Sequence, residues 1–181
     1  MRMTNFLKDK EQTKRRLINA VGEILKTEGP EKLGYRNVAR KAGVDKQLIY
    51  QYFKTLDSLI ETYIIENDYW MNVSEHIGTF LENDESDLKK LIIELLQNQF
   101  KYFVSREEIQ RLIAWEISTK SPLMRSIHNV RESTGQKFFE LIDDSVNPNK
   151  VNFRAIAALL VGGIYYADIP VIMETCYVTL M

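Results

Sequence analysis

The chain reads as all-α: a small three-helix unit at the N-terminus followed by a larger helical bundle. Three observations predict this. Apolar residues recur at spacings of three and four along almost the whole length, the period of an amphipathic helix. Glycine and proline are scarce, 8 and 4 in 181 residues, too few for the tight turns of a many-stranded fold. Between residues 34 and 53 two short helical patterns meet at Gly43, which can take the positive φ that ends one helix and redirects the chain. A hydrophobic content of 45% is enough to bury the core of one or two domains.

Taken in order, Leu17, Ile18, Val21, Ile24 and Leu25 mark the inward face of a first helix, which Gly29-Pro30 stops. Val38, Ala39 and Ala42 form the inner face of a second, with Ala39 small where two helices cross steeply. Val44 plugs the corner, and Leu48, Ile49 and Tyr52 cover the inside of a third helix with Asp45 as its N-cap. Thr55 is the expected N-cap of a long fourth helix, running from Leu56 to the region of His76 or Leu81, with Asp57 complementing its dipole. The acidic stretch 82–87 reads as a solvated loop, with Ser86 or Asp87 capping a helix that runs to about Val104. Ser105-Arg106-Glu107-Glu108 fits a capping box that opens a helix to about Thr119. Ser121-Pro122 places Pro in the first turn of the next, which ends near Asp144. Asn147-Pro148 then separates it from a last helix, from about Asn152 to Ala167.

What the third helix leaves outside is chemically distinctive: Lys46, Gln47, Tyr50, Gln51 and Lys54, all able to donate hydrogen bonds. A buried lock that presents a polar, basic helix is what a helix-turn-helix DNA reader needs. Charge supports this. Residues 1–56 carry 13 Lys or Arg against 6 Asp or Glu, net +7, while residues 57–181 carry 11 against 19, net −8. A basic first part on an acidic remainder suggests that the first part alone meets a polyanion.

The residues from Ile18 to Gly29, Val38-Ala39, Ala42-Gly43-Val44, Ile49-Tyr50, Tyr52-Phe53-Lys54 and Leu59 together resemble the TetR family of bacterial transcriptional regulators, over roughly residues 11–71. The resemblance implies a DNA-binding domain over 1–54, with the helix-turn-helix at 34–53, and an effector-binding and dimerisation domain over 55–181. It implies a homodimeric repressor that reads a palindromic operator in double-stranded DNA, its half-sites about one helical turn, roughly 34–36 Å, apart. Carried over by position, Arg36, Lys46, Tyr50 and Lys54 match phosphate-contacting residues, while Gln47, Gln51 and Tyr52 stand where base edges can be reached. Tyr52 also fits core packing, which its spacing favours. Three positions depart from the family pattern: Gly34 replaces a capping Thr or Ser, Leu56 a common basic residue, and Gln47 a frequent Gly.

For residues 55–181 the resemblance implies a pocket for a small apolar or aromatic effector. Trp70, Phe100, Phe103, Trp115, Met124, Phe138 and Tyr165 are candidates to line it, and each fits ordinary core packing as well. Glu116 could anchor a polar ligand group or stand as a satisfied carboxylate. Ala155, Ala158, Gly162 and Gly163 permit close helix approach, either at the subunit interface or within the bundle. The apolar tail from Ile169 onward is short for the family's final helix and most simply packs on the dimer partner.

Two other classes compete. A protein partner could take the place of the small effector, or no effector could exist. An enzyme is disfavoured by the absence of phosphate-binding, dinucleotide, zinc-protease and nucleophile-elbow motifs. His76 and His128 are not paired as ligands, Asp143-Asp144 reads as a solvated helix end, and neither a metal nor a cofactor is expected. The single Cys176 fits a reducing compartment. With no signal-like N-terminus and no membrane-length apolar run, a cytoplasmic protein is expected.

Overall fold

A computed structural model describes residues 2–73, 88–143 and 152–167, with side chains over 9–73, 89–140 and 152–166; all regular structure among them is helical. The chain divides into two compact units, Met1–Asn67 and Asp68–Met181. This boundary falls beyond the functional division drawn at residue 54, because the fourth helix packs on the first and third.

In the N-terminal unit, α1 (Arg2–Thr27) packs against α2 (Tyr35–Ala42) and α4 (Leu56–Glu66), and α3 (Gln47–Phe53) packs against α4. Leu17, Val21, Ile24 and Leu25 of α1 are fully buried together with Val38, Ile49 and Leu59. Each such side chain contributes about 1.5–3 kcal/mol by leaving water. Gly22 allows the close approach of α1 and α4, since a Cβ there would stand 2.7 Å from the Tyr63 ring.

The turns of this unit are closed by short-range chemistry. Gly29, at φ 90°, bonds through its amide to the Ile24 carbonyl, and a 3-10 turn, Pro30–Lys32, follows. Gly43 takes the left-handed conformation, φ 63° and ψ 41°, and the Val44 amide reaches back to Ala39 O at 3.0 Å. That six-to-one bond closes α2 with Val44 over its end. Arg16 of α1 adds a bond to Gly43 O at 3.0 Å. Asp45 Oδ1 accepts the Gln47 amide at 2.7 Å, and Lys46 already has helical dihedrals, so Asp45 caps α3 as its sequence position predicts. Thr55 Oγ1 accepts the Ser58 amide at 3.0 Å and caps α4 in the same way.

The long fourth helix is corrected. α4 ends at Glu66, where Asn67 satisfies Tyr63 O through both its amide and its side chain. Asp68 Oδ1 then accepts the amides of Trp70, at 3.0 Å, and Met71, at 3.2 Å, and so caps a separate helix, α5, described over 69–73. Asn and Asp side chains that bond to nearby backbone favour helix ends over helix interiors, and here two in succession override the continuing apolar period. The expected acidic loop, its cap at 86 or 87, the break at Asn147-Pro148 and the tail from Ile169 lie outside the described residues.

The C-terminal unit continues with α6 (Leu88–Val104), α7 (Glu107–Ser118), α8 (Pro122–Asp143) and α9 (Phe153–Ala167). α6 packs against α7 and α9, and Leu91, Leu95, Ile109, Leu112, Leu123 and Ile127 are among its buried residues. The Ser105 capping box is also corrected: Ser105 Oγ turns back to Tyr102 O, and the N-cap is Arg106, whose side chain bonds to the Tyr102 hydroxyl rather than to the helix end. By contrast Ser121 Oγ accepts the Met124 amide beside Pro122, and Asn152 Oδ1 accepts the Ala155 amide. No described helix is long and apolar enough to cross a membrane.

Candidate functional site

Two arrangements stand out, one in each unit. In the first, the period of α3 places Lys46, Gln47, Tyr50, Gln51 and Lys54 on one exposed side, with Ile49 fully buried opposite. Arg36 of α2 is exposed as well. Tyr52 is half-buried, with Lys10 Nζ 6.0 Å from its ring centre, which agrees with its partly inward spacing.

Tyr50 is 51% exposed yet held in place: its ring stacks on Tyr35 at 4.7 Å with the planes 10° apart. The Tyr35 hydroxyl in turn accepts the Leu56 amide at 3.0 Å, in the first turn of α4. Tyr35 therefore joins the start of α2, the middle of α3 and the start of α4. Nothing in the sequence reading singled it out; the available signal was an aromatic ring in the opening turn of α2, beside Arg36. Partial burial, reinforced by Tyr35, raises the Tyr50 phenol pKa, so its hydroxyl stays a hydrogen-bond donor.

Lys54 ends α3 in an unusual conformation. Its φ of 67° and ψ of −46° make it the one non-glycine residue with positive φ among those described. The Thr55 amide bonds to Phe53 O at 2.8 Å across it, which closes a γ-turn. A non-glycine residue held this way costs about 1–3 kcal/mol, and such strain clusters at functional sites. Acidic charge near the motif is restrained: Glu28 accepts from Asn37 at 3.1 Å and lies 3.7 Å from Lys41, and these contacts, Asn37 first, hold its pKa below the ordinary value.

The second arrangement is a cavity of about 840 Å³ in the C-terminal unit, bounded by α5, α7, α8 and α9. Trp70, Met124, Phe138 and Tyr165 line it. The other three aromatic candidates do not. Phe100 is on the surface, 45% exposed, and Trp115 is half-buried outside the lining. Phe103 lies buried, edge-on to the Tyr165 ring at 4.9 Å. Of the small residues on α9, Ala158 lines the cavity, whereas Ala155, Gly162 and Gly163 are exposed. A Cβ added at either glycine meets nothing within 4 Å, so neither is required by packing among the described residues.

Charged groups meet at the cavity wall. Arg131 of α8 bonds through Nε to Asp68 and through Nη1 to Glu116, each at 2.5 Å. Both Glu116 and Arg131 line the cavity. Burial, with Asp68 and Glu116 nearby, pushes the Tyr165 phenol up to about 12 against the easing effect of Arg131. Its hydroxyl faces Gln99, whose side-chain amide is fully buried. Arg131 and Asp68 were not anticipated as site residues, although Ile127, Arg131, Thr134 and Phe138 share one helical stripe, and a charge on an apolar stripe is a legible signal.

Residues 17–63 match the family model described as bacterial regulatory proteins, tetR family. No curated protein matches the chain. Two solved structures of NalD, the secondary repressor of the MexAB-OprM multidrug efflux pump in Pseudomonas aeruginosa, are similar in fold. The native form matches with a TM-score of 0.65 and 18% identity, over 86% of this chain and 84% of that one. The other matches with a TM-score of 0.57 and 16% identity, over 87% and 83%. The helix-turn-helix match falls on the residues that lock α2 against α3, so residues 17–63 carry the DNA-binding domain of the tetR family of bacterial regulatory proteins, and the chain shares the all-helical fold of NalD along most of its length.

Proposed function

We propose that this transcriptional regulator is a homodimeric repressor that lays α3 of each subunit in the major groove of a palindromic operator and is released by a small molecule in the C-terminal cavity. The exposed polar side of α3, held from behind by Ile49 and the Tyr35–Tyr50 stack, is the observation that carries the DNA part. In this reading Arg36, Lys46, Tyr50 and Lys54 contact phosphates, and Gln47 and Gln51, with Tyr52 at the margin, face base edges. The repressor sign draws on the likeness to NalD, itself a repressor.

The dimer reading rests on α9, where Ile156, Leu159, Leu160 and Tyr166 are 43–77% exposed beside Ala155, Gly162 and Gly163. A helix with this much apolar surface and small residues for close approach suits a second copy of itself. Release would act through Asp68, which is separated from the end of α4 by Asn67 alone and shares Arg131 with the cavity residue Glu116. A ligand that draws on Glu116 or Arg131 changes the hold on Asp68, and with it the population of the α4 position that fits DNA.

The test is binding to the DNA that flanks the protein's own gene. Tyr50→Ala combined with Lys54→Ala should weaken operator binding about a hundredfold, with the dimer still folded, and wild-type affinity should fall steeply with salt. Unchanged affinity in the double variant would overturn the assignment of this face.

A further inference from the structure

We propose that the cavity takes an aromatic or otherwise apolar molecule carrying one positive charge, with that charge set against Glu116; this rests on the cavity being the effector site. Two carboxylates share one guanidinium at the wall, and the side chains of Arg131, Asp68 and Glu116 are only 19%, 4% and 16% exposed. The cluster is therefore one negative charge in excess, among the described residues, where water screens little.

The surplus faces the cavity at a definite place. Asp68 is fully engaged, Oδ1 by the Trp70 and Met71 amides and Oδ2 by Arg131. Glu116 gives Oε2 to Arg131 and lines the cavity. Trp70, Phe138 and Tyr165 supply rings, whose π-electrons favour a cation, and the Tyr165 phenol stays neutral. The remaining lining charges stand in solvent: Lys120 and Arg125 are exposed, and His128 pairs with Glu132 at 3.5 Å with both side chains at least 70% exposed. An anion could reach the free N–H groups of Arg131, but it would bring a second surplus negative charge to a buried cluster, whereas a cation closes the balance.

Tetraphenylphosphonium and tetraphenylborate have the same shape and opposite charge, so titration calorimetry of the full chain with each isolates the charge term. The phosphonium should bind at least about tenfold more tightly. Glu116→Gln, whose amide oxygen can still accept from Arg131, should remove most of that preference, and Glu116→Asp should retain it. Trp70→Ala should weaken both ions alike. Equal affinities, tighter borate binding, or a preference untouched by Glu116→Gln would overturn the charge assignment and leave the cavity as a ligand site. Binding of neither ion would overturn both readings. Phosphonium binding that leaves operator affinity unchanged supports the charge assignment and sinks only the release mechanism.

Discussion

The N-terminal unit spends its polar groups at its turns, whereas the C-terminal unit gathers them around a void. At Gly43, Asp45 and Thr55 each change of direction is closed within a few residues, and the core behind them is apolar. In the other unit Asp68 from the cap of α5, Glu116 from α7 and Arg131 from α8 meet at one buried point, and the Gln99 amide is buried against Tyr165. Under the proposed function the contrast follows from the two tasks. A DNA reader gains from a single geometry, because side chains must meet a fixed phosphate spacing. A sensor needs groups whose partners can be exchanged, and buried charge that a ligand can complete is such a group.

The largest test of this contrast is Arg131→Met. It leaves two carboxylates facing each other without their cation and should destabilise the C-terminal unit by about 3–5 kcal/mol. Arg16→Ala, which removes the bond to the exposed Gly43 carbonyl, should cost no more than about 1 kcal/mol. Denaturant unfolding of both variants measures the pair; equal effects would show that the units are not built differently.

Alkaline pH gives a smaller, directional effect. Tyr69 and Tyr165, both in the C-terminal unit, have phenols pushed up to about 12, in each case chiefly by burial. Below the ordinary value of 10.0 the folded and unfolded chains both keep these protons, and the stabilisation is complete. As pH rises from 10.0 toward 12 the unfolded chain loses its protons first, so stability falls by about 2 kcal/mol for each tyrosine. Tyrosinate absorbance followed alongside unfolding should show these two groups titrating last. If all tyrosines of the folded protein ionise together, the burial argument is wrong.

The smallest test uses one substitution in two places. Gly22→Ala forces a methyl group against the Tyr63 ring and should destabilise the N-terminal unit by about 1–3 kcal/mol. Gly135→Ala, inside α8 where an added Cβ meets nothing within 4 Å, should stabilise the other unit by about 0.5–1 kcal/mol. Thermal melting of the two variants should move in opposite directions.

Legibility in the sequence follows the same divide. Gly43, Asp45 and Thr55 act on backbone within three residues, so their roles can be read locally, as can Pro122 beside Ser121. Two local readings went astray where chemistry competed with pattern. Apolar spacing carried the fourth helix past Asn67 and Asp68, although that pair was the stop signal. Ser105 satisfies the spacing of a capping box, yet its hydroxyl has a nearer acceptor in the helix it closes. The exposed side of α3 was legible because α3 is a short helix whose inner residues are apolar. The cavity was legible only as a set of aromatics, and Phe103 and Trp115 show why: helical spacing marks a residue as inward without saying whether a void or another side chain lies there. Arg131 and Tyr35 depend on partners 63 and 15–21 positions away, and no local pattern encodes those meetings.

The γ-turn at Lys54 has a consequence for anyone selecting variants of this protein. Glycine there would adopt the same φ without strain, and a library sorted on thermal survival alone would enrich it. The same change deletes a cation from the side proposed to face DNA, so under that reading the survivors would be sturdier and worse at their task. Under the proposed function, position 54 is thus a place where directed evolution for robustness and selection for DNA binding pull apart, and its residue in any selected pool reports which pressure was applied.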